Sequence, residues 1–254
     1  MMFKVLLSPA KSIAKEPVLY GSPSTPVHEK MAVDLIAILK KKTPKEIKDL
    51  MSISPALSEL NWSRYQDWNP LKSNRNVIQP AVAFTGEVYK GLDATSFDEK
   101  DWAYAQQTIK IISGLYGLLR PLDGIAPYRL EMGTKLQIDK SSKNLYEYWR
   151  EKLTETMISE LNSDDVILNL ASLEYAKAIN FKAISNKVIT PVFKDFKNGK
   201  LKTIMMYAKR ARGTMAGAIV KKRIVQLDDL KLLEVDGYSY DERLSSANDW
   251  VFTR

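Results

Sequence analysis

Between Phe196 and Gln226 the chain carries Lys197, Lys200, Lys202, Lys209, Arg210, Arg212, Lys221, Lys222 and Arg223, and no Asp or Glu. The whole chain has a net charge of +8, so the residues outside this window of nine cations sum to −1. The basicity is local, and a local positive field captures a polyanion or a phosphate. A solvated basic face has the same composition. A second set of cations, Lys45 and Lys48, flanks a tight turn between two short helices. Thr43-Pro44 starts the first, with Thr43 as N-cap and Pro44 at the first helical position; Ser54-Pro55 starts the second. Residues 43–68 thus form a helix-hairpin-helix candidate, a device that presents backbone N–H groups to DNA phosphates. Such a turn calls for Gly, and Ser52 stands there instead. An ordinary αα-corner shares the pattern.

Other chemistries are excluded by what is missing. The chain has no Cys, which removes disulfides, thiolate metal sites, thiol redox sensing and a cysteine nucleophile. The single His, His28, follows the Pro- and Ser-rich stretch Gly21-Ser22-Pro23-Ser24-Thr25-Pro26. It is expected to be an exposed loop imidazole, which argues against a His-based triad and a zinc site. Iron storage of the ferritin kind needs Glu-x-x-His on facing helices, and no such pattern exists. No metal and no cofactor are expected. The opening Met1-Met2-Phe3-Lys4-Val5-Leu6-Leu7 is too short for a signal peptide, and no run approaches the ~20 apolar residues of a membrane span. With 45% hydrophobic and 27% charged residues, the chain reads as a soluble cytoplasmic protein that does not engage membranes.

These groups must be positioned by a mixed set of elements. Phe3–Ser8 reads as a buried strand, Ser12–Thr25 as loop, and 28–42 as an amphipathic helix built on Met31, Leu35, Ile38 and Leu39. Its terminal Lys40-Lys41-Lys42 suits a helix C-terminus. Ala81–Phe84 reads as a strand. Asp98 caps a helix containing Trp102, Ala105 and Ile109, and Ile111–Asp123 is a strand running into a structured loop. Asn144 opens an amphipathic helix with Leu145, Trp149, Leu153, Met157 and Leu161 on one side. Val166–Leu170 is an apolar strand, and Ser172 can cap the helix that follows. Asn198-Gly199 between β-rich segments is a hairpin signal. A helix capped by Thr214 follows Gly213, and Tyr238–Tyr240 and Val251-Phe252 read as strands. With no repeat, linker or low-complexity tract, the expected class is α+β, as a single mixed α/β domain over 1–254.

Five strings carry a family likeness: Ser8-Pro9-Ala10-Lys11; Phe84-Thr85-Gly86-Glu87-Val88-Tyr89; Ser113–Asp123 with Pro127–Gly133; Asn169-Leu170-Ala171-Ser172 with Glu174-Tyr175 and Lys177; and Tyr207-Ala208-Lys209 with Ala211-Arg212-Gly213. In wording and order they resemble the YaaA family of bacterial peroxide-stress proteins, over essentially the full chain. The resemblance implies a role in hydrogen-peroxide defence that limits iron-linked oxidative damage. It also implies the family's own mixed α/β architecture, the cantaloupe fold, with a positively charged cleft and a helix-hairpin-helix, and duplex or branched DNA as partner.

The resemblance makes the basic window a wall of that cleft, so the DNA contacts are expected from Lys45, Lys48, Lys197, Lys200, Lys202, Lys209, Arg210, Arg212, Lys221 and Lys222. The polar residues within the family strings mix cations with Asp123, Glu131, Glu174 and Asp195, whereas a DNA-backbone binder needs little beyond Lys and Arg. Such mixtures build phosphate or nucleotide pockets, in which Arg forks a phosphate and a carboxylate or Lys moves a proton. They also build buried ion-pair networks. The alternative function is therefore an enzyme acting on a nucleotide-like or phosphorylated small molecule. Its catalytic candidates are Lys11, Arg129, Glu174 and Lys177, expected to converge on one concave site with Glu174 paired to a cation.

Overall fold

The computed structural model describes residues 1–14, 18–71 and 76–254. In chain order, β1 (Phe3–Leu7) and β2 (Ser12–Ile13) precede α1 (Glu29–Leu39), α2 (Pro44–Met51), α3 (Pro55–Asp67) and α4 (Pro80–Ala83). Then come β3 (Phe84–Thr85), α5 (Glu87–Leu92), α6 (Glu99–Thr108), β4 (Ile109–Ser113), β5 (Gly117–Leu119) and α7 (Leu145–Ser159). The chain continues through β6 (Val166–Asn169), α8 (Leu173–Ala176), β7 (Val188–Lys197), β8 (Lys200–Lys202) and α9 (Met205–Lys222). It closes with α10 (Leu227–Lys231), β9 (Ser239–Tyr240) and β10 (Asp249–Thr253).

Among the described residues the central sheet has eight strands in the order β5-β4-β1-β6-β7-β10-β9, with β8 paired to β7. β4, β1, β6, β7 and β10 are parallel neighbours. Their succession along the chain is 2-1-3-4-5, the order of a doubly wound open sheet. Parallel strands covered on both faces read as continuous apolar runs, and every residue of β1, β4 and β6 is buried. Both edges of the sheet are short antiparallel strands, β5 with three residues and β9 with two. The architecture is the mixed α/β one that the sequence implies.

Local signals place several elements where they were expected. Thr43 and Glu46 form a reciprocal capping box at α2, Ser54 caps α3, and Asp98 and Asp101 cap α6. Asn198 (φ 55) and Gly199 (φ 73) turn the β7–β8 hairpin with both residues left-handed.

Four readings are corrected. Ala81–Phe84 is not a strand: Pro80 opens the one-turn helix α4, and only Phe84–Thr85 is extended, pairing with β2 inside the segment read as loop. α9 does not begin at Thr214 but at Met205, with Gly213 and Thr214 in its interior. Gly213 is there because α5 lies against it; a Cβ on Gly213 would sit 1.7 Å from the Val88 carbonyl oxygen, and one on Gly91 of α5 would sit 2.2 Å from that of Arg210. Thr214 Oγ1 donates to the Arg210 carbonyl at 3.2 Å and reaches Asp236 at 3.0 Å. His28 is not an exposed loop imidazole. It is buried edge-on to Trp149, with Nε2 3.2 Å from Thr156 Oγ1.

Two expectations follow. Gly213→Ala forces backbone apart from backbone and should lower unfolding free energy by about 3 kcal/mol, read from the urea midpoint. Burial is the main cause that lowers the His28 pKa from its ordinary 6.5, with Lys152 lowering it further and Glu160 opposing. The unfolded chain then binds a proton that the folded chain resists, so the stability present above 6.5 is lost as pH falls below it. The denaturation midpoint should fall more steeply between pH 7.5 and 5.5 in the wild type than in His28→Gln, roughly the pH range where histidine titrates.

Candidate functional site

After β1 the chain re-enters the parallel sheet at β4 on one side and at β6 on the other. The connections that leave β1 and β6 therefore diverge, and a crevice opens at their carboxyl ends, where open α/β sheets bind ligands. Two serines clasp its base. The Ser172 backbone N–H donates to Ser8 Oγ at 2.8 Å, and Tyr89 donates its hydroxyl to the Ser8 carbonyl at 3.0 Å. Ser172 thus faces Ser8 and makes no side-chain cap on α8.

Lys11 follows β1, Glu174 lies in the first turn of α8 after β6, and the segment 128–133 brings Arg129 and Glu131 to Lys11 and Gly133 to Glu174. Glu131 bridges two cations, with Oε2 2.5 Å from Lys11 Nζ and Oε1 2.9 Å from an Arg129 terminal nitrogen. The Arg129 Nε is buried and has no hydrogen-bond partner among the described residues. Glu174 Oε1 accepts from the Gly133 N–H at 2.9 Å. The segment is fixed from behind: Tyr65 donates its hydroxyl to the Arg129 carbonyl, and Gly114 lies so close that a Cβ would meet the Leu130 carbonyl oxygen at 2.3 Å. Burial pushes the phenols of Tyr65, Tyr128 and Tyr175 well up, so these rings act as hydrogen-bond donors and not as bases.

The site opens into a cleft of about 700 Å³ that Lys11, Arg129, Glu131, Lys135 and Glu174 share with Asp49 and Ser52 from the α2–α3 connection. The turn between Lys45–Lys48 and α3 is therefore a wall of this cleft. Lys45 and Lys48, on α2 just before it, are exposed but do not line the cleft. Ser52, at the position that favours Gly, is left-handed (φ 51, ψ 51) as the C-cap of α2.

The structure brings together Lys11, Arg129 and Glu174 and leaves out Lys177. That residue faces a separate cleft of about 860 Å³ against Tyr146, Arg150 and Ile158 of α7. Glu174 of α8 lines one cleft, and Lys177, the C-cap of the same short helix, lines the other. Nor does Glu174 carry the ion pair; Glu131 does. Its two-residue spacing from Arg129 is the one local signal that the sequence offers for it.

The basic window divides. Lys197 and Lys200 pair across the β7–β8 hairpin, with Lys202 beside them. All three are exposed, as are Lys209 and Arg210 on α9 and Lys222 at its end, and none of the six forms an ion pair among the described residues. The opposite face of the hairpin exposes Phe196, 67% accessible, against Leu201. Lys221 approaches Asp93 at 3.9 Å, and Arg223 is held by Asp101 at 2.8 Å over the Tyr104 ring. Arg212 lies half-buried, its Nε without a partner among the described residues, and burial lowers its pKa. Asp123 and Asp195 belong to structural networks: Asp123 with Arg120 and Ser24, Asp195 with Tyr238 and Arg254.

Among the described residues no three His, Asp or Glu cluster as a metal site, and no helix is long and apolar enough to cross a membrane. A family description, peroxide stress protein YaaA, matches residues 3–244. The chain belongs to the YaaA family of peroxide-stress proteins. It is 45% identical to a UPF0246 protein of Janthinobacterium sp. (strain Marseille) over 98% of both chains. It is equally similar, at 45%, to a UPF0246 protein of Flavobacterium johnsoniae over 99% of this chain and 100% of the other. A UPF0246 protein of Shewanella oneidensis is 45% identical over 98% of each. The site just described is thus carried by a YaaA chain matched along nearly its whole length.

The strain at Ser52 is measurable. Ser52→Gly removes a left-handed Cβ and should stabilise this YaaA protein by about 0.5–1 kcal/mol in urea unfolding, with no change in slope.

Proposed function

We propose that the protein binds duplex or branched DNA with little sequence preference, as its part in the peroxide-stress response. The observation that carries this reading is the set of exposed cations that form no ion pair among the described residues: Lys197, Lys200 and Lys202 on the hairpin and Lys209 and Arg210 on α9. Unpaired surface cations of one sign sum into a field that a phosphate backbone answers. On this reading the α2–α3 pair is a helix-hairpin-helix, and Lys45 and Lys48 add phosphate contacts from α2. Lys221 and Lys222 extend the track weakly from the far end of α9. Arg212 contributes from within, because its half-buried guanidinium forms no ion pair among the described residues.

A second reading is favoured by one observation, the two carboxylates that face the cleft beside Lys11 and Arg129 at the strand ends. Glu131 and Glu174 are acceptors and proton carriers, which a phosphate-backbone track does not require. They fit an enzyme acting on a phosphorylated or nucleotide-like molecule. Lys177, on the other side of α8, serves this reading only from its own cleft.

A duplex titration over a salt series tests the first reading. Affinity should fall linearly with salt on log axes, by about 0.9 per phosphate contact. Replacing Lys197, Lys200 and Lys202 together by Ala should reduce that slope by about 2–3. Replacing Lys41 and Lys42 by Ala should leave it unchanged. Lys40 is no fit control, since its Nζ donates to the Trp68 carbonyl at 3.2 Å. Affinity that does not respond to salt, or a hairpin variant with the wild-type slope, overturns DNA binding by this surface.

A further inference from the structure

The side edge of the Arg129 guanidinium is half filled. Nε and the adjacent terminal nitrogen point the same way and together take two oxygens of a phosphate or carboxylate in parallel. Here Glu131 Oε1 engages the terminal nitrogen at 2.9 Å, while Nε is buried and without an acceptor among the described residues. The other Glu131 oxygen is on Lys11. One carboxylate is thus divided between two cations and satisfies neither completely. A phosphate has three terminal oxygens and can fill the whole Arg129 edge while keeping one for Lys11.

We propose that Lys11 and Arg129 form a binding site for a phosphate monoester, in which Glu131 is an internal occupant that the ligand displaces. This deepens the second reading above and does not depend on DNA binding. Three features support it. The site lies at the carboxyl ends of β1 and β6, the crevice in which doubly wound sheets hold phosphorylated ligands. Arg129 is pre-positioned, because Tyr65 holds its carbonyl, Glu174 holds the Gly133 N–H, and Gly114 presses on Leu130. Of the two pairs displaced, the one with Arg129 is replaced in kind by the phosphate, and the one with Lys11 costs little: Lys11 is 64% exposed, and an ion pair with so exposed a partner contributes at most about 1 kcal/mol.

The remaining lining narrows the ligand. The cleft of about 700 Å³ falls within the size range of small-molecule sites. Asp49 and Glu174 share it and outnumber Lys135, which disfavours a second phosphate, while their oxygens accept from hydroxyl or amino groups. The class of ligand is therefore one phosphate attached to a body rich in hydrogen-bond donors, such as a nucleoside monophosphate or a sugar phosphate. The same phosphate could arrive as the 5′ end of a DNA strand.

Calorimetric titration separates these cases with three probes: adenosine 5′-monophosphate, adenosine, and a short duplex with or without 5′-phosphates. Wild type should bind the monophosphate and not adenosine. Glu131→Gln should bind it at least tenfold more tightly, because the internal competitor is gone, while Lys11→Gln should lose at least tenfold. Lys11 is exposed, so that variant remains folded where Arg129→Gln risks unfolding. A tenfold gain for the 5′-phosphorylated duplex alone in Glu131→Gln assigns the phosphate to a strand end; a gain for the monophosphate assigns it to a free ligand. The Lys197/Lys200/Lys202 variant should keep its response to the monophosphate even where duplex binding fails, so the two readings fail separately. Unchanged or weaker binding of every phosphorylated probe in Glu131→Gln overturns the proposal, because a structural ion pair would not compete with ligand.

Discussion

β1 is hydrogen-bonded along both edges, to β4 and to β6, and all five of its residues are buried. Neither edge of the strand is free to slip, since a change of register by one residue would turn each apolar side chain to the opposite face. Its carboxyl end is therefore a fixed point. Ser8 carries that rigidity onward by accepting from Ser172, and Lys11 stands three residues further along. The segment of Arg129 is anchored independently, by Gly114 at the end of β4 and by Tyr65 of α3. The ion triad forms where these anchored pieces meet. Its cations are held in place by backbone that the sheet and the core determine, so the site is built before any ligand arrives.

The basic surface is positioned differently. α9 is located by backbone-to-backbone contact with α5 at Gly91 and Gly213. Helices that approach this closely cannot slide or rotate without a clash, since a single added methyl group has no room. Lys209 and Arg210 thereby face outward from the same helix whose other side carries Ala208, Ala211 and Met215 in the core. The hairpin lysines lack such support; they extend beyond the strands that brace the rest of β7. One half of the basic track is rigid and the other is a short two-stranded arm.

What could be read from the sequence follows from this division between local and distant causes. Thr43-Pro44, Ser54-Pro55, Asp98 and Asn198-Gly199 act on residues a few positions away, and each marks its element correctly. Lys11 and Glu174 were legible together because they follow the ends of β1 and β6. Gly213 was misread as a helix boundary because its reason, Val88 on another helix, is over a hundred residues distant in sequence. His28 was misread for the same cause, since Trp149 and Thr156 bury it from α7. Glu131 was seen as one acidic residue among several; only the meeting of Lys11 with 129–131 shows it to be the counter-ion of both cations. Lys177 lies three residues from Glu174 but lines a different cleft, which spacing alone does not reveal.

The short outer strands of the sheet have a consequence of their own. Five parallel strands with open sides would present rows of unpaired N–H and C=O groups, the template on which unfolded chains add themselves. β5 and β9 end those rows after three and two residues, and Gly117 of β5 lies directly beneath Trp149 and Leu153 of α7. Such caps are too brief to seed a further strand. Oxidative injury fills a cell with damaged, partly unfolded polypeptides, and at these two edges the sheet gives them little to grow on.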